Sequence, residues 1–142
     1  MTCDNEGHPL AFELTAGQVH ETQALVALLE NADSCVVDLE GVPVAWPEKI
    51  AGDKGYRAEW IDTMFQTMGI QPVIPSKTNE DRDARQSSFD PEAYRDRNII
   101  ERLIGWLKES RRIFSRFEKT ALNYAGMIKM AFIHRYLRLA TE

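Results

Sequence analysis

Only two cysteines, Cys3 and Cys35, stand in the 142-residue chain, and neither belongs to a Cys-x-x-Cys pair. A disulfide framework and a zinc knuckle are both excluded, and a reducing compartment, the cytoplasm, is the expected setting. The three histidines, His8, His20 and His134, share no metal-ligand spacing, and no grouping of Ser, Cys and His resembles a hydrolytic triad. There is no glycine-rich phosphate loop. No run approaches the roughly 20 apolar residues that a membrane-spanning helix needs. The acidic opening, Met1 to Glu6, lacks the apolar stretch of a secretory leader. Internal repeats and low-complexity tracts are missing too. What is present, 44% hydrophobic and 27% charged residues, is the composition of one globular domain.

The net charge of −5 hides an asymmetry. Residues 1–90 carry six Lys or Arg against sixteen Asp or Glu, a balance of −10, whereas residues 91–142 carry eleven against six, a balance of +5. A basic C-terminal third on an acidic body can meet a polyanion such as nucleic acid. The alternative is that Arg111, Arg112, Arg116, Lys119, Lys129, Arg135 and Arg138 only solvate the outer sides of helices.

Residues 9–15 read as a strand, with Leu10, Phe12 and Leu14 alternating with Ala11 and Glu13. Residues 21–31 read as a helix carrying Leu25, Leu28 and Leu29, and residues 34–39 as a strand or an extended connection. A short buried strand within residues 47–56 runs into a turn, with Asp53 at its carboxyl end, where open α/β sheets place functional groups. Residues 56–68 form a predicted helix with Trp60, Met64 and Phe65, stopped by Gly69. Residues 71–75 are a brief strand between prolines, hence an edge strand. The polar stretch 76–90 is a long loop. Asp90 then caps, and Pro91 opens, a predicted helix reaching Ser110. A last helix over 115–139 lines Leu122, Ala125, Met130, Ile133 and Leu137 on one side. Trp46, Trp60 and Trp106 read as packing residues. The order predicts an α/β core with a helical C-terminal tail.

Chemistry concentrates in two places. At ~100° per residue, Tyr94, Arg97, Glu101 and Lys108 fall within an arc of roughly 60°, opposite Ile99, Ile100, Leu103, Trp106 and Leu107. Read alone, the stripe is a surface ladder in which Arg97 supports Glu101. The second place is Asp53 in Gly52-Asp53-Lys54-Gly55-Tyr56, which read alone is a turn aspartate bonding its own backbone. Brought to one sheet edge, the two acids would make a hard-oxygen site suited to Mg²⁺ or Mn²⁺ and to phosphodiester chemistry.

The spacing Tyr94-x2-Arg97-x3-Glu101-x6-Lys108 is similar to the signature around the last acidic residue of DDE transposases of bacterial insertion sequences. The segment 52–56 resembles that family's block around its second catalytic aspartate. Residues 3–10 and 14–18 resemble the strand pair before it, and residues 111–113, 116–119 and 121–124 resemble the C-terminal stretch. The resemblance covers practically the whole chain. It implies a ribonuclease-H-like fold whose Asp, Asp and Glu hold two divalent ions at the ends of the element's DNA. By matching, Asp53 is the second carboxylate and Glu101 the third, both metal-binding and catalytic, while Tyr94, Arg97 and Lys108 touch DNA or brace the site. His20 and Glu21 fall at a position the family places near its site, although a pair that simply starts a helix is the reading preferred here.

In the family the first aspartate lies on a strand ahead of the pair that opens this chain, and Asp4 does not match it. Residues 1–142 are therefore expected to be an N-terminally truncated part of a DDE catalytic domain. It would hold Mg²⁺ or Mn²⁺ weakly, cut DNA negligibly alone, expose an unpaired sheet edge, and work with an upstream-frame segment or a full-length transposase. The alternative is a catalytically silent DNA-binding or regulatory remnant. A third reading is an α/β domain with no nucleic-acid role.

Overall fold

The computed structural model describes residues 1–80 and 89–141. The chain opens with a hairpin, Thr2–Cys3 (β1) antiparallel to Pro9–Ala11 (β2). Asp4 shapes its turn: Oδ1 accepts the backbone N–H groups of Glu6 at 2.9 Å and His8 at 2.8 Å, and Oδ2 meets His8 Nδ1 at 2.8 Å. Gly7 sits at φ +85°, a region open to glycine at no steric cost. The strand predicted over 9–15 ends at Ala11, because Phe12 and Leu14 leave the sheet to pack against the C-terminal helices.

The first helix, Glu21–Cys35 (α1), starts at the predicted residue but runs a turn past Asn31. Asn31 does not stop it: its side-chain amide donates to Phe12 O at 3.1 Å, and Ala32 is buried one residue on. Residues 34 and 35 are thus helical, and the expected extended segment shrinks to a bridge between Val37 and Pro43 around a turn held by Asp38.

A parallel β-α-β unit follows. Lys49–Ala51 (β3) pairs with Gln71–Val73 (β4), with Ile50 opposite Pro72, and the helix Glu59–Thr67 (α2) crosses between them. Ile61 and Phe65 of α2 join Leu25 and Leu29 of α1, Ile70 and Ile74 in the main core. Gly69, at φ +74°, ends α2 as predicted. Trp60 is a correction: it lies on the outer face of α2 and is exposed, since Ile61 and Phe65 take the inward stripe. Trp46 does pack on the core, and its indole N–H donates to Asp33 Oδ1 at 3.1 Å.

The helix predicted over 92–110 is two helices, Pro91–Arg95 (α3) and Asn98–Glu109 (α4). At the junction the bonds tighten to three-residue steps, from Arg97 N to Tyr94 O, Ile99 N to Asp96 O and Ile100 N to Arg97 O. Asp96 and Asn98 are poor interior helix residues, which weakens the regular ladder there. The predicted helix over 115–139 ends as expected at Leu139 but starts late, and a separate short helix precedes it. Arg111–Phe114 (α5) is a single turn, the chain then bends with Arg116 at φ +46°, and Ala121–Leu139 (α6) begins under a Thr120 cap.

The side of α6 on which the sequence lines up Leu122, Met130, Ile133 and Leu137 faces outward, and all four are exposed. The opposite side carries the packing. Ile128 is buried with Leu107 and Ile113, and Tyr124, Met127, Ala131, Phe132 and Trp106 close around them together with Met1, Phe12 and Leu14. Phe12 meets Phe132 edge-on at 5.6 Å, and the Tyr136 hydroxyl donates to Pro9 O at 2.8 Å. The last helix therefore covers the first hairpin. Among the described residues the strands form two separate two-stranded sheets, and no helix is long and apolar enough to cross a membrane. The mixed α and β character and the helical C-terminal part follow the sequence reading. Of the predicted loop 76–90, residues 81–88 lie outside the described residues.

Candidate functional site

Asp53 stands just beyond the carboxyl end of β3, as its sequence position implied. It opens a single 3-10 turn, Lys54–Tyr56, by accepting the Gly55 N–H on Oδ1 at 2.6 Å. The pairing of β3 with β4 continues to the doorstep of that turn, through Gly52 N to Val73 O at 3.1 Å. One oxygen of Asp53 thus builds the turn, and Oδ2 makes no hydrogen bond among the described residues.

The turn is fastened on its far side by two cations. Lys54 Nζ donates to Thr78 Oγ1 at 3.1 Å. Arg57, only 9% exposed, donates through Nε to Glu80 Oε2 at 3.0 Å, pairs through Nη2 with Glu80 Oε1, and places Nη1 3.1 Å from Asp62 Oδ2. A guanidinium taken so far from water needs such carboxylates to remain charged. Glu80 in turn accepts the Lys77 N–H at 3.0 Å, so the start of the polar stretch after β4 is bound to the Asp53 turn. Sequence reasoning did not single out Arg57, whose partners lie 5 and 23 residues away.

Glu21, the first residue of α1, reaches the same turn. A β-carbon on Gly55 would lie 2.5 Å from Glu21 Oε2 and 2.9 Å from Asp53 Oδ1, so both carboxylates crowd one spot that only glycine leaves open. Burial, and then the charges of Glu21 and Asp53, push the Tyr56 hydroxyl above the ordinary tyrosine range. His20 behaves as read, accepting the Thr22 N–H at 3.3 Å to start the helix. Glu21 goes further than a helix-start residue, and the signal for it was the family position noted above.

The second set of residues lies on α3 and α4. Asp90 accepts the N–H groups of Glu92 and Ala93, both at 3.0 Å, with Pro91 at the first helical position as predicted. Lys49 Nζ, at the amino end of β3, donates to Asp90 Oδ2 at 2.8 Å. That bond holds the Asp90 carboxyl below the ordinary range and lifts the Lys49 ammonium above its own. Tyr94 belongs to α3, Arg97 to the junction, and Glu101 and Lys108 to α4. The break does not disperse them: Arg97 Nη2 donates to Glu101 Oε1 at 2.5 Å, and its guanidinium lies 5.3 Å from the centre of the Tyr94 ring. Lys108 is exposed in the last turn of α4, where a cation suits the helix dipole, and makes no ion pair among the described residues. Leu103 and Leu107 face inward on the opposite side, as the periodicity required.

Two groups result, Asp53 with Glu21 and Glu101 with Arg97 and Tyr94. Among the described residues no three His, Cys, Asp or Glu side chains are placed together to hold a metal ion. The donors themselves are hard oxygens of the kind Mg²⁺ and Mn²⁺ take, and Glu21 and Asp53 both face the point at Gly55 where a β-carbon would stand.

The family model of the transposase DDE domain matches residues 1–134. A Burkholderia cepacia protein named as a candidate transposase for insertion sequence element IS402 is 29% identical over 130 residues, covering 92% of this chain and 57% of that protein. The chain thus spans little more than half the length of this curated relative. No solved structure matches it.

Proposed function

The chain belongs to the transposase DDE domain family, and from that premise we propose that it is the C-terminal part of a ribonuclease-H-like catalytic domain acting in insertion-sequence transposition. The carrying observation is the Asp53 turn at the carboxyl end of β3, followed in order by the linked Tyr94, Arg97 and Glu101. Asp53 and Glu101 are the carboxylates that would hold Mg²⁺ or Mn²⁺. When bound, such an ion supplies activation of an attacking hydroxyl and stabilisation of the leaving oxygen in phosphodiester cleavage and strand transfer.

The chain's own residues do the rest. Oδ1 of Asp53 fixes the turn through Gly55 and so aims the carboxylate. Arg97 orients Glu101, stacks on Tyr94, and keeps further guanidinium N–H groups for a DNA phosphate. Lys108, which makes no ion pair among the described residues, adds a cation for the same backbone. Two of the family's three carboxylates are matched within residues 1–142. The +5 balance of residues 91–142 also favours a second reading, a silent DNA-binding or regulatory remnant that occupies insertion-sequence ends.

The test of the shared carboxylate site is affinity cleavage. Fe²⁺ with ascorbate and peroxide cuts a polypeptide near the groups that hold the metal. Cuts around both residues 53 and 101, suppressed by excess Mg²⁺, are the expected result. Cuts around one alone would defeat the shared site and leave the DNA-binding reading.

A further inference from the structure

Resting on the reading of Asp53 as a metal-binding carboxylate, we propose that Glu21 is a further carboxylate of that site, directed from the start of α1 at the same divalent cation. Glu21 and Asp53 are 32 positions apart and on different elements, so their meeting is a product of the fold. Both approach the point where a Gly55 β-carbon would stand, to 2.5 Å and 2.9 Å. Two carboxylates directed at one point are a pair of hard-oxygen donors of the kind a divalent cation takes.

The cations nearest in sequence are turned away. Lys54 reaches to Thr78 at 3.1 Å, and Arg57 is committed to Asp62 and Glu80. Among the described residues neither Glu21 nor Asp53 has an ion-pair partner. Glu21 is exposed and Asp53 keeps Oδ2 unbonded, so a small hard cation can reach both. Gly55 has a specific part in this: any β-carbon there would drive the Glu21 carboxylate out of the gap.

The experiment is Mn²⁺ binding to the full chain, with Mn²⁺ alone as the probe and free ion counted by electron paramagnetic resonance. Glu21→Gln is expected to weaken binding about tenfold, within the range for a residue supporting a metal site, with unchanged circular dichroism and urea midpoint. Gly55→Ala is expected to weaken it by a similar factor through displacement of Glu21. Asp53→Asn is expected to abolish it. Wild-type affinity in Glu21→Gln together with loss in Asp53→Asn would overturn the role of Glu21 and leave the Asp53 reading standing. Unchanged binding in Asp53→Asn, or no binding by the wild-type chain, would overturn both.

Discussion

Arg57 shows how one side chain can organise a site it does not line. It is buried, ends the Asp53 turn, and holds Asp62 of α2 and Glu80 beyond β4 at once. Removing one member of a buried charge group is costly because the others keep their desolvation penalty. Arg57→Ala is expected to destabilise the fold by about 3 kcal/mol in urea denaturation. Asp4 gives a pH signature of its own. Burial alone would raise its carboxyl, but bonds from the His8 and Glu6 backbone and the His8 ring outweigh that and lower it. The stabilisation is therefore complete above the unfolded aspartate value of about 4 and is lost as pH falls through the lower folded value. Urea midpoints followed from pH 6 to pH 2 are expected to drop more steeply for the wild type than for Asp4→Asn. The placement of residues 53 and 101 was legible because each lies in a local pattern, a turn motif or a helical spacing. Arg57 was not, because its partners arrive from other elements, and Glu21 was marked only by its family position, since no window of sequence contains both ends of its approach to Gly55.

At the scale of elements, the sequence marked an end wherever a cap or a glycine stood, whether start or stop. His20, Asp90 and Gly69 act as predicted, since a cap or a positive-φ glycine is a local chemical event. The breaks near Asp96 and Arg116 carry no proline or glycine and so left little trace. On α6 both sides hold apolar residues, and periodicity alone could not choose between them. The hairpin chose, by presenting Phe12 and Leu14 to Met127, Ala131 and Phe132. Thr120 accepts the Asn123 N–H at 3.2 Å at the start of that helix. Thr120→Ala is expected to lower stability by about 1 kcal/mol, the usual worth of such a cap, as read from the urea midpoint.

For the whole molecule, the distribution of charge matters more than its sum. A net charge of −5 opposes a polyanion, so the proposed binding to insertion-sequence ends would depend on the basic C-terminal third being presented locally. Arg97→Ala and Lys108→Ala are each expected to weaken end-DNA binding and to reduce the slope of log affinity against log salt by about one, measured by gel shift. Unchanged slopes would remove both residues from the phosphate contact. The cap of α6 on the hairpin bears on how the chain is made. Pro9 finds its Tyr136 hydroxyl only 127 residues later, so synthesis must pass residue 136 before the N-terminal strands acquire their lid. Until then the nascent hairpin is covered by α1 alone, where Leu28 and Ala32 bury Ala11, while Phe12 and Leu14 wait for the C-terminal helices.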